Sequence, residues 1–253
     1  MPAAQLDVRT PDGTMDVTLH APPGGGAAPT VIFFADAGGV RPVMQEMAAR
    51  LAAAGYRVAV PNLYYRAGAY EPFDVRTLFS DPAERQRMTG IIGLVGPDGL
   101  THDIGALLDA LAGQPGGQAG GPADGPVGCV GYCMGGNWAF RTAGAHPSRV
   151  AAAASIHGGN LATDDPSSPH RQAGRIRAQL YFGVADHDPS CAPESQAQLI
   201  TALDQTSVGY QLELYPGAAH GFAVPDNPSY REPAAERHWR RVTTLFAETL
   251  PTA

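Results

Sequence analysis

The chain alternates short apolar segments with longer segments in which apolar residues recur at helical spacing. Apolar, often β-branched runs of this length predict buried strands: TVIFFADA, YRVAVPNL, PVGCVGY, RVAAAASIHG, AQLYFGVAD and YQLELYPGAA. Helical spacing predicts the helices VMQEMAARLAAAGY, THDIGALLDALAG, MGGNWAFRTAGAH, APESQAQLITALDQ and REPAAERHWRRVTTLFAETL. Repeated strand–helix alternation is typical of an α/β fold, with a mostly parallel central sheet and helices on both of its faces.

The remaining segments add local features to this fold and do not indicate a second domain. DVRTPDGTMDVTLHAP predicts an antiparallel hairpin with Asp12-Gly13 as its turn, and Thr101 is a candidate N-cap for the helix that carries Asp103 in its first turn. From 64 to 99 the periodicity weakens, which indicates an excursion of loops and short helices over a site. The composition of 113–126 predicts a surface loop. We expect one domain spanning 1–253.

Composition narrows the class of protein. The 253 residues are 44% hydrophobic and 16% charged, with a net charge of −7. A nucleic-acid-binding protein would usually show a basic face, so the charge argues against one. No apolar run approaches the ~20 residues that cross a bilayer, and the N-terminus resembles no signal peptide. We therefore expect a cytoplasmic protein without membrane attachment, as a monomer or a small homo-oligomer.

The three cysteines form no recognisable metal or disulfide pattern. Cys129 lies in the middle of a predicted strand, and core packing is the simplest interpretation of it and of Cys191. Cys133 is different because it lies at the carboxyl end of a predicted strand, where doubly wound sheets place their reactive groups.

The stretch GYCMGG has the pattern G-x-C-x-G, which is G-x-S-x-G with a thiol in place of the hydroxyl. A strand that turns into a helix within one residue crowds the positions two before and two after it, so Gly131 and Gly135 suit a nucleophile elbow at Cys133. The following helix N-terminus would favour a thiolate, and the backbone N–H of Met134 is a candidate oxyanion donor.

An acid and a histidine follow in the order that this scaffold requires. GVADHDP and GAAHGF each follow a predicted strand, so we expect both at the same sheet edge as Cys133. His220 is the candidate base, and a carboxylate behind it would orient the ring. We prefer Asp186, which follows its strand at once. Asp188 precedes Pro189 and is more typical of a turn residue, and His187 is a rival base that is more typical of a solvated surface.

Together GYCMGG, GVADHDP and AAHGF resemble the dienelactone hydrolase family, cysteine-dependent members of the α/β-hydrolase fold. The resemblance implies hydrolysis of a lactone or ester through a thioester, with Cys133, Asp186 and His220 as the triad and with no metal or organic cofactor. It also implies that Asp36, at the end of TVIFFADA, holds the proton of the resting cysteine. The alternative is that Asp36 caps the turn AGGV. The N–H of Ala37 would be the second oxyanion donor beside that of Met134.

In the family that the motifs resemble, an arginine four residues after the histidine binds the carboxylate of the substrate. This sequence departs from that pattern, because it has Val224 at the position. A neutral side chain cannot pair with an anion, so we expect a neutral or more apolar ester or lactone, unless Arg41, Arg66 or Arg76 replaces the missing cation. Candidate substrate-binding residues lie just past strands or at the start of the elbow helix. They are Tyr64, Tyr65, Arg66, Trp138, His157 and Phe222.

Other function classes are compatible with parts of this pattern. The same cysteine could transfer its acyl group to an acceptor other than water, or close a ring, as an acyltransferase or cyclase does. A binding protein on an inherited scaffold is a further alternative, although it would need no nucleophile, base and acid together. A redox role for Cys133 lacks a CxxC partner. The pattern favours a small-molecule hydrolase.

Overall fold

A computed structural model describes residues 3–25, 27–113 and 125–250. Its sheet has eight strands: β1 Ala4–Thr10, β2 Gly13–His20, β3 Thr30–Phe34, β4 Arg57–Pro61, β5 Val127–Tyr132, β6 Val150–Ile156, β7 Gln179–His187 and β8 Tyr210–Ala219. The α-helices are α1 Pro42–Ala53, α2 Pro82–Gly93, α3 Pro97–Ala112, α4 Met134–Ala145, α5 Pro193–Asp204 and α6 Glu232–Thr249. Short 3-10 turns lie at Tyr65–Ala67, Pro169–Arg175 and Pro189–Cys191.

The strand order is β1-β2-β4-β3-β5-β6-β7-β8. The first two strands run antiparallel to their neighbours, whereas β4, β3 and β5 to β8 are all parallel. The expected single-domain α/β fold with a mostly parallel sheet is confirmed. Because the last strands are parallel, the loops that follow β3, β5, β7 and β8 open at one edge of the sheet, where ligands bind in this class of fold.

Helices cover both faces of the sheet, and each face has its own apolar cluster. One includes Ile32, Leu107 and Phe182, and the other includes Phe33, Tyr132 and Phe246, all of them almost fully buried. Cys129 is fully buried in the first cluster, as expected for a packing residue. Within the described ranges, no helix combines the length and the apolarity that a membrane span requires.

Two local expectations are wrong in detail. The hairpin turns at Pro11-Asp12, because Gly13 already pairs with Thr10 as the first residue of β2. Helix α3 begins at Pro97 rather than at Thr101, whose hydroxyl instead donates to the carbonyl of Pro97 inside the helix. A proline at the first helical position has no N–H to leave unpaired, so it can start the helix one turn earlier.

The segment 64–99, predicted to be an excursion of loops and short helices, follows β4 and runs into the first turn of α3. It contains a 3-10 turn, helix α2 and the first residues of α3. The part of the predicted 113–126 loop at 114–124 lies outside the described residues.

Candidate active site

Cys133 occupies a turn that joins β5 directly to α4. Its backbone has φ 56 and ψ −118, outside the helical and strand regions, and the next residue already starts the helix. A non-glycine residue at positive φ is strained and persists only where the surroundings enforce it. The strain directs the thiol away from the sheet, towards a cavity that it lines.

The neighbouring glycines are required by the close approach of helix and strand. A Cβ at Gly131 would lie 1.9 Å from the carbonyl oxygen of Gly135. A Cβ at Gly135 would lie 2.4 Å from the carbonyl oxygens of both Phe34 and Ala35. These contacts are with backbone atoms that cannot rotate away, so the steric reason inferred from G-x-C-x-G holds in the structure.

His220 follows β8 and lies beside a carboxylate from the loop after β7. Its Nδ1 is 2.8 Å from Oδ2 of Asp188, whose side chain is fully buried. The other carboxylate oxygen of Asp188 accepts hydrogen bonds from the Ser190 backbone N–H (2.9 Å) and hydroxyl (2.6 Å). The Asp188 carboxylate is therefore held on both sides and fixes the His220 ring.

The expected contact between Asp186 and His220 is not formed, and Asp188 takes that place. Strand β7 continues to His187, so Asp186 is still within the strand, and a register shift against β8 occurs between Ala185 and His187. Asp186 is exposed and accepts a hydrogen bond from the Gly217 backbone N–H at 2.9 Å. The first residue beyond the strand is Asp188, and this is why the geometry selects it. The His187 side chain is 73% exposed, as expected of a solvated residue.

The protonation of His220 and Asp188 follows from this contact. Burial acts to lower the pKa of His220, but hydrogen bonds with Asp188 and Cys133 outweigh it and raise the pKa to about 10. Burial acts to raise the pKa of Asp188, but the hydrogen bonds from His220 and Ser190 outweigh it and lower the pKa. The arrangement stabilises a charged imidazolium between a carboxylate and the sulfur.

Asp36 is occupied by partners other than the thiol. Both of its carboxylate oxygens accept from the guanidinium of Arg41, at 2.6 and 2.9 Å, and one also accepts from the Gly38 N–H at 2.9 Å. Arg41 in turn binds Asp226, in the loop beyond His220, at 2.8 Å. These contacts match the alternative that Asp36 caps the turn AGGV. Among the described residues, Asp36 forms no hydrogen bond with Cys133.

The two residues expected to supply oxyanion donors lie at the same cavity as the thiol. Ala37 and Met134 line the same cavity as Cys133. The Met134 N–H lies in the first turn of α4, where backbone N–H groups have no acceptor within the helix. Tyr64 lies behind Ala37 and donates from its hydroxyl to the Ala37 carbonyl at 2.9 Å, so it supports this loop from the buried side.

The cavity has a volume of about 1050 Å³, and its wall contains Cys133, His220 and Asp188. The predicted excursion supplies much of the apolar wall, with Val75, Phe79, Met88, Ile92 and Pro97. Helix α4 supplies Met134, Asn137, Trp138 and Arg141, and the loop after β8 supplies Asn227, Pro228 and Ser229. A pocket of this size and mixed lining can accommodate an organic ligand larger than a single small ring.

Of the six expected substrate-binding residues, all within the described ranges, Trp138 alone lines this cavity. The expectation is wrong for Tyr65 and Arg66, which bind Asp103 at 2.8 and 2.6 Å and so tie the excursion to α3. It is also wrong for Phe222, which is fully buried and stacks on Tyr215. Aromatic and cationic residues next to a strand end can serve packing as readily as binding.

His157 lies beneath the site rather than in the cavity. It is 1% exposed, and its Nδ1 accepts from the Cys133 backbone N–H at 3.2 Å. Burial, together with the nearby His220 and His238, lowers the pKa of His157 well below its usual value, so the ring is neutral. A neutral ring is the form that can accept this hydrogen bond.

The three arginines that could replace the cation missing at Val224 lie in different surroundings. Val224 itself is fully buried, so this position does not face the cavity. Arg41 and Arg66 are held in the ion pairs described above. Arg76 lines the cavity.

Sequence reasoning missed two residues at the site. One is Ser190, since the spacing Asp188-Pro189-Ser190 allows a hydroxyl to hold a carboxylate two residues earlier. The other is Arg141, which lies two helical turns beyond Cys133 on α4. It lies seven residues after Met134, so the two side chains are on the same face of the helix, and this spacing could have indicated it.

Comparisons with known proteins agree with this architecture. The dienelactone hydrolase family profile matches residues 15–250. A Salmonella typhi protein provisionally named carboxymethylenebutenolidase is 28% identical over 98% of this chain and 93% of its own length. The carboxymethylenebutenolidase of Rhodococcus opacus is 25% identical over 96% of this chain and 90% of its own. The crystal structure of a dienelactone hydrolase from Anabaena variabilis is 18% identical, with 98% of each chain covered and a TM-score of 0.69. The chain therefore belongs to the dienelactone hydrolase family and is an enzyme of the lactone- and ester-hydrolase class.

Proposed function

We propose that this protein hydrolyses a carboxylic ester or lactone through a thioester on Cys133, with His220 as the base and Asp188 as the orienting acid. The observation that carries the proposal is the 2.8 Å contact between His220 Nδ1 and a buried Asp188, next to a strained cysteine turn. Triad chemistry requires a carboxylate that orients a histidine and a nucleophile within hydrogen-bonding reach of that histidine.

In the first half-reaction, His220 holds the proton of the Cys133 thiol as an imidazolium, and the sulfur attacks the carbonyl carbon. The negative charge that forms on the carbonyl oxygen would be accepted by the N–H groups of Ala37 and Met134. The intermediate then collapses, a carbon–sulfur bond remains, and the alkoxide leaves with the proton from His220. An ester gives the thioester and a free alcohol, whereas a lactone gives a thioester whose acyl chain carries the new hydroxyl group.

In the second half-reaction, water takes the place of the alcohol. His220 accepts a proton from the water as its oxygen attacks the thioester, and the sulfur leaves and regains a proton from His220. Asp188 stays ionised throughout and holds the ring in one tautomer. Because the three side chains supply nucleophile, base and orienting acid, the proposed reaction needs no cofactor.

The direct test is to capture the acyl group. The protein is mixed with p-nitrophenyl acetate, quenched in acid and examined by intact mass and peptide mass spectrometry. We expect one acetyl group per chain on Cys133, and none in Cys133→Ala. An acetyl group on another residue, or unchanged ester turnover in Cys133→Ala, would refute the proposed nucleophile.

Cys191→Ser is the matched control. Burial raises the pKa of the Cys191 thiol to about 11, so it is protonated near neutral pH and we expect labelling of the variant to be unchanged. Repeating the reaction with an added alcohol or amine distinguishes hydrolysis from acyl transfer. Release of free acid in the presence of these acceptors supports the hydrolase.

A further inference from the structure

The cavity extends along one face of helix α4. Met134, Asn137, Trp138 and Arg141 all line it, and their spacing of three and four residues places them on one side of the helix. The cavity therefore runs from the thiol at the start of α4 towards Arg141. Eight residues of helix rise correspond to about 12 Å, so the cavity has a reactive end and a distant end.

Arg141 is fixed at that distant end by uncharged partners. Its Nε donates to Oδ1 of Asn137 at 2.7 Å, one turn back along the helix, and its Nη1 donates to the carbonyl of Ser167 at 2.6 Å. The two contacts use Nε and Nη1, which lie on different edges of the guanidinium, and Nη2 belongs to both edges. Within the described part of the chain, Nη2 has no hydrogen-bond acceptor and the group forms no ion pair with a carboxylate.

This arrangement is uncommon for a half-buried cation. Burial lowers the pKa of Arg141, and the nearby Asp165 opposes this only in part. The Asp165 carboxylate itself accepts from the Ser167 backbone N–H at 2.6 Å. Asp165 lines the same cavity, but within the described ranges it forms no hydrogen bond with Arg141. By contrast, Arg41 and Arg66 are each bound to two carboxylates. A cation that is held by uncharged acceptors, keeps one NH2 group without an acceptor and faces a cavity is suited to bind an anion from outside the protein.

We propose that Arg141 binds an anionic group at the far end of an elongated substrate, while the scissile carbonyl lies at Cys133. The substrate would be an ester or lactone with an apolar middle section, which Trp138, Phe79 and Met88 would contact, and with a terminal carboxylate or similar anion. Because the Arg141 side chain leans back towards Asn137, the two ends are separated by roughly 6–12 Å. This differs from the neutral substrate expected from Val224, and it rests on the proposed function for the identity of the reactive end.

Binding can be tested without turnover. Suberic acid monoamide carries an apolar chain with one terminal carboxylate, and octanamide is its neutral counterpart of equal length. In calorimetric titrations we expect the wild-type chain to bind the monoamide at least about tenfold more tightly, since hydrogen bonds to a charged group contribute about 1.5–3 kcal/mol. Arg141→Gln should abolish this preference, and Arg141→Lys should restore part of it.

Arg171→Gln is the matched control. Arg171 also donates to backbone carbonyls of the same loop, those of Asp164 and Asp165, but it is not part of the cavity wall. We expect Arg171→Gln to keep the wild-type preference. An equal preference in Arg141→Gln and wild type would overturn the inference, and so would a loss of preference in Arg76→Gln with Arg141→Gln unaffected. Neither result depends on whether the protein hydrolyses esters.

Turnover measurements test how long the substrate is between its two ends. With monomethyl esters of linear dicarboxylic acids from succinate to sebacate, we expect kcat/KM relative to the matching methyl alkanoates to peak at an intermediate length. Arg141→Gln should reduce kcat/KM by about 10- to 100-fold for the best anionic ester, mainly through KM, and leave the neutral esters nearly unchanged. If Cys133 cleaves anionic and neutral esters alike and Arg141→Gln affects neither, this inference alone is refuted and the proposed function still stands.

Discussion

A carboxylate orients a histidine only from hydrogen-bonding distance, and this decides between two aspartates that lie two residues apart. Asp188 is fully buried and holds His220 through one oxygen and Ser190 through the other. Asp186 is exposed and binds the Gly217 N–H instead. Both carboxylates lie near the end of β7, so neither residue type nor order along the chain could distinguish them.

Removing the charge of Asp188 should therefore impair turnover far more than removing that of Asp186. In Asp188→Asn the amide can donate to His220 and select the wrong tautomer, and we expect kcat for an ester to fall by between about 10² and 10⁴. Asp186→Asn should keep kcat within about threefold of wild type, because it does not touch the ring. Steady-state kinetics with p-nitrophenyl acetate measures both, and circular dichroism checks the fold.

The reverse ranking, with Asp186→Asn inactive and Asp188→Asn active, would mean that the loop rearranges and that our assignment is wrong. Similar modest losses in both variants would mean that neither carboxylate orients the ring.

The turn between β5 and α4 shows how two elements together fix the position of one side chain, that of Cys133. Helix α4 packs so closely on β3 and β5 that its first residues have no space for side chains on the inner side. The close packing holds Cys133 at φ 56 and exposes the thiol. The stability of this junction and the position of the Cys133 thiol thus have the same steric origin.

A methyl group at Gly135 should disrupt the junction. Its Cβ would lie 2.4 Å from the backbone carbonyl oxygens of Phe34 and Ala35, so helix or strand must move. We expect Gly135→Ala to lower the free energy of unfolding by at least about 2 kcal/mol, measured by urea denaturation.

Gly90→Ala is the control, in helix α2, where nothing lies within 4 Å of the added Cβ. There we expect a change between zero and about 1 kcal/mol of stabilisation, because alanine is the better helix former. A Gly135→Ala variant as stable as Gly90→Ala would show that α4 is not packed as closely as the structure indicates.

At the level of the entire fold, buried histidines make stability depend on pH. Burial lowers the pKa of His238 to about 3, and its Nε2 lies 3.1 Å from the hydroxyl of Tyr132 in the apolar cluster. The folded protein keeps this ring neutral, whereas the unfolded chain protonates it near pH 6.5. The unfolded state then binds more protons, and stability falls as the pH drops below 6.5. The same direction applies to the other histidines with lowered pKa values, His146, His157 and His170.

Replacing His238 should remove its share of this acid sensitivity. Between pH 7.5 and 5.0 we expect the free energy of unfolding of wild type to fall by about 2 kcal/mol more than that of His238→Gln. Urea denaturation at both pH values measures the difference, and the remaining titrating groups cancel because both proteins contain them. Equal losses in the two proteins would show that His238 titrates near its ordinary pKa in the folded state.

Much of the architecture could be predicted because it depends on local patterns. Apolar runs and helical spacing predicted the mostly parallel sheet and its helices, and the glycines around Cys133 predicted the strained turn, since steric crowding acts over a few residues. The predicted strand ends placed Cys133, the GVADHDP loop and His220 at one edge of the sheet, because the carboxyl ends of parallel strands meet there.

The exact partners of charged side chains could not be predicted, because they depend on distances between segments far apart in the chain. Whether Asp186 or Asp188 meets His220 depended on how far β7 extends beside β8. Arg41 took Asp36 away from the thiol, and Arg66 turned to Asp103, because three-dimensional packing brought those carboxylates within reach. Local patterns thus determine which elements form and where reactive residue types lie, while long-range packing determines which polar atoms touch, since a hydrogen bond is made or lost within about 1 Å.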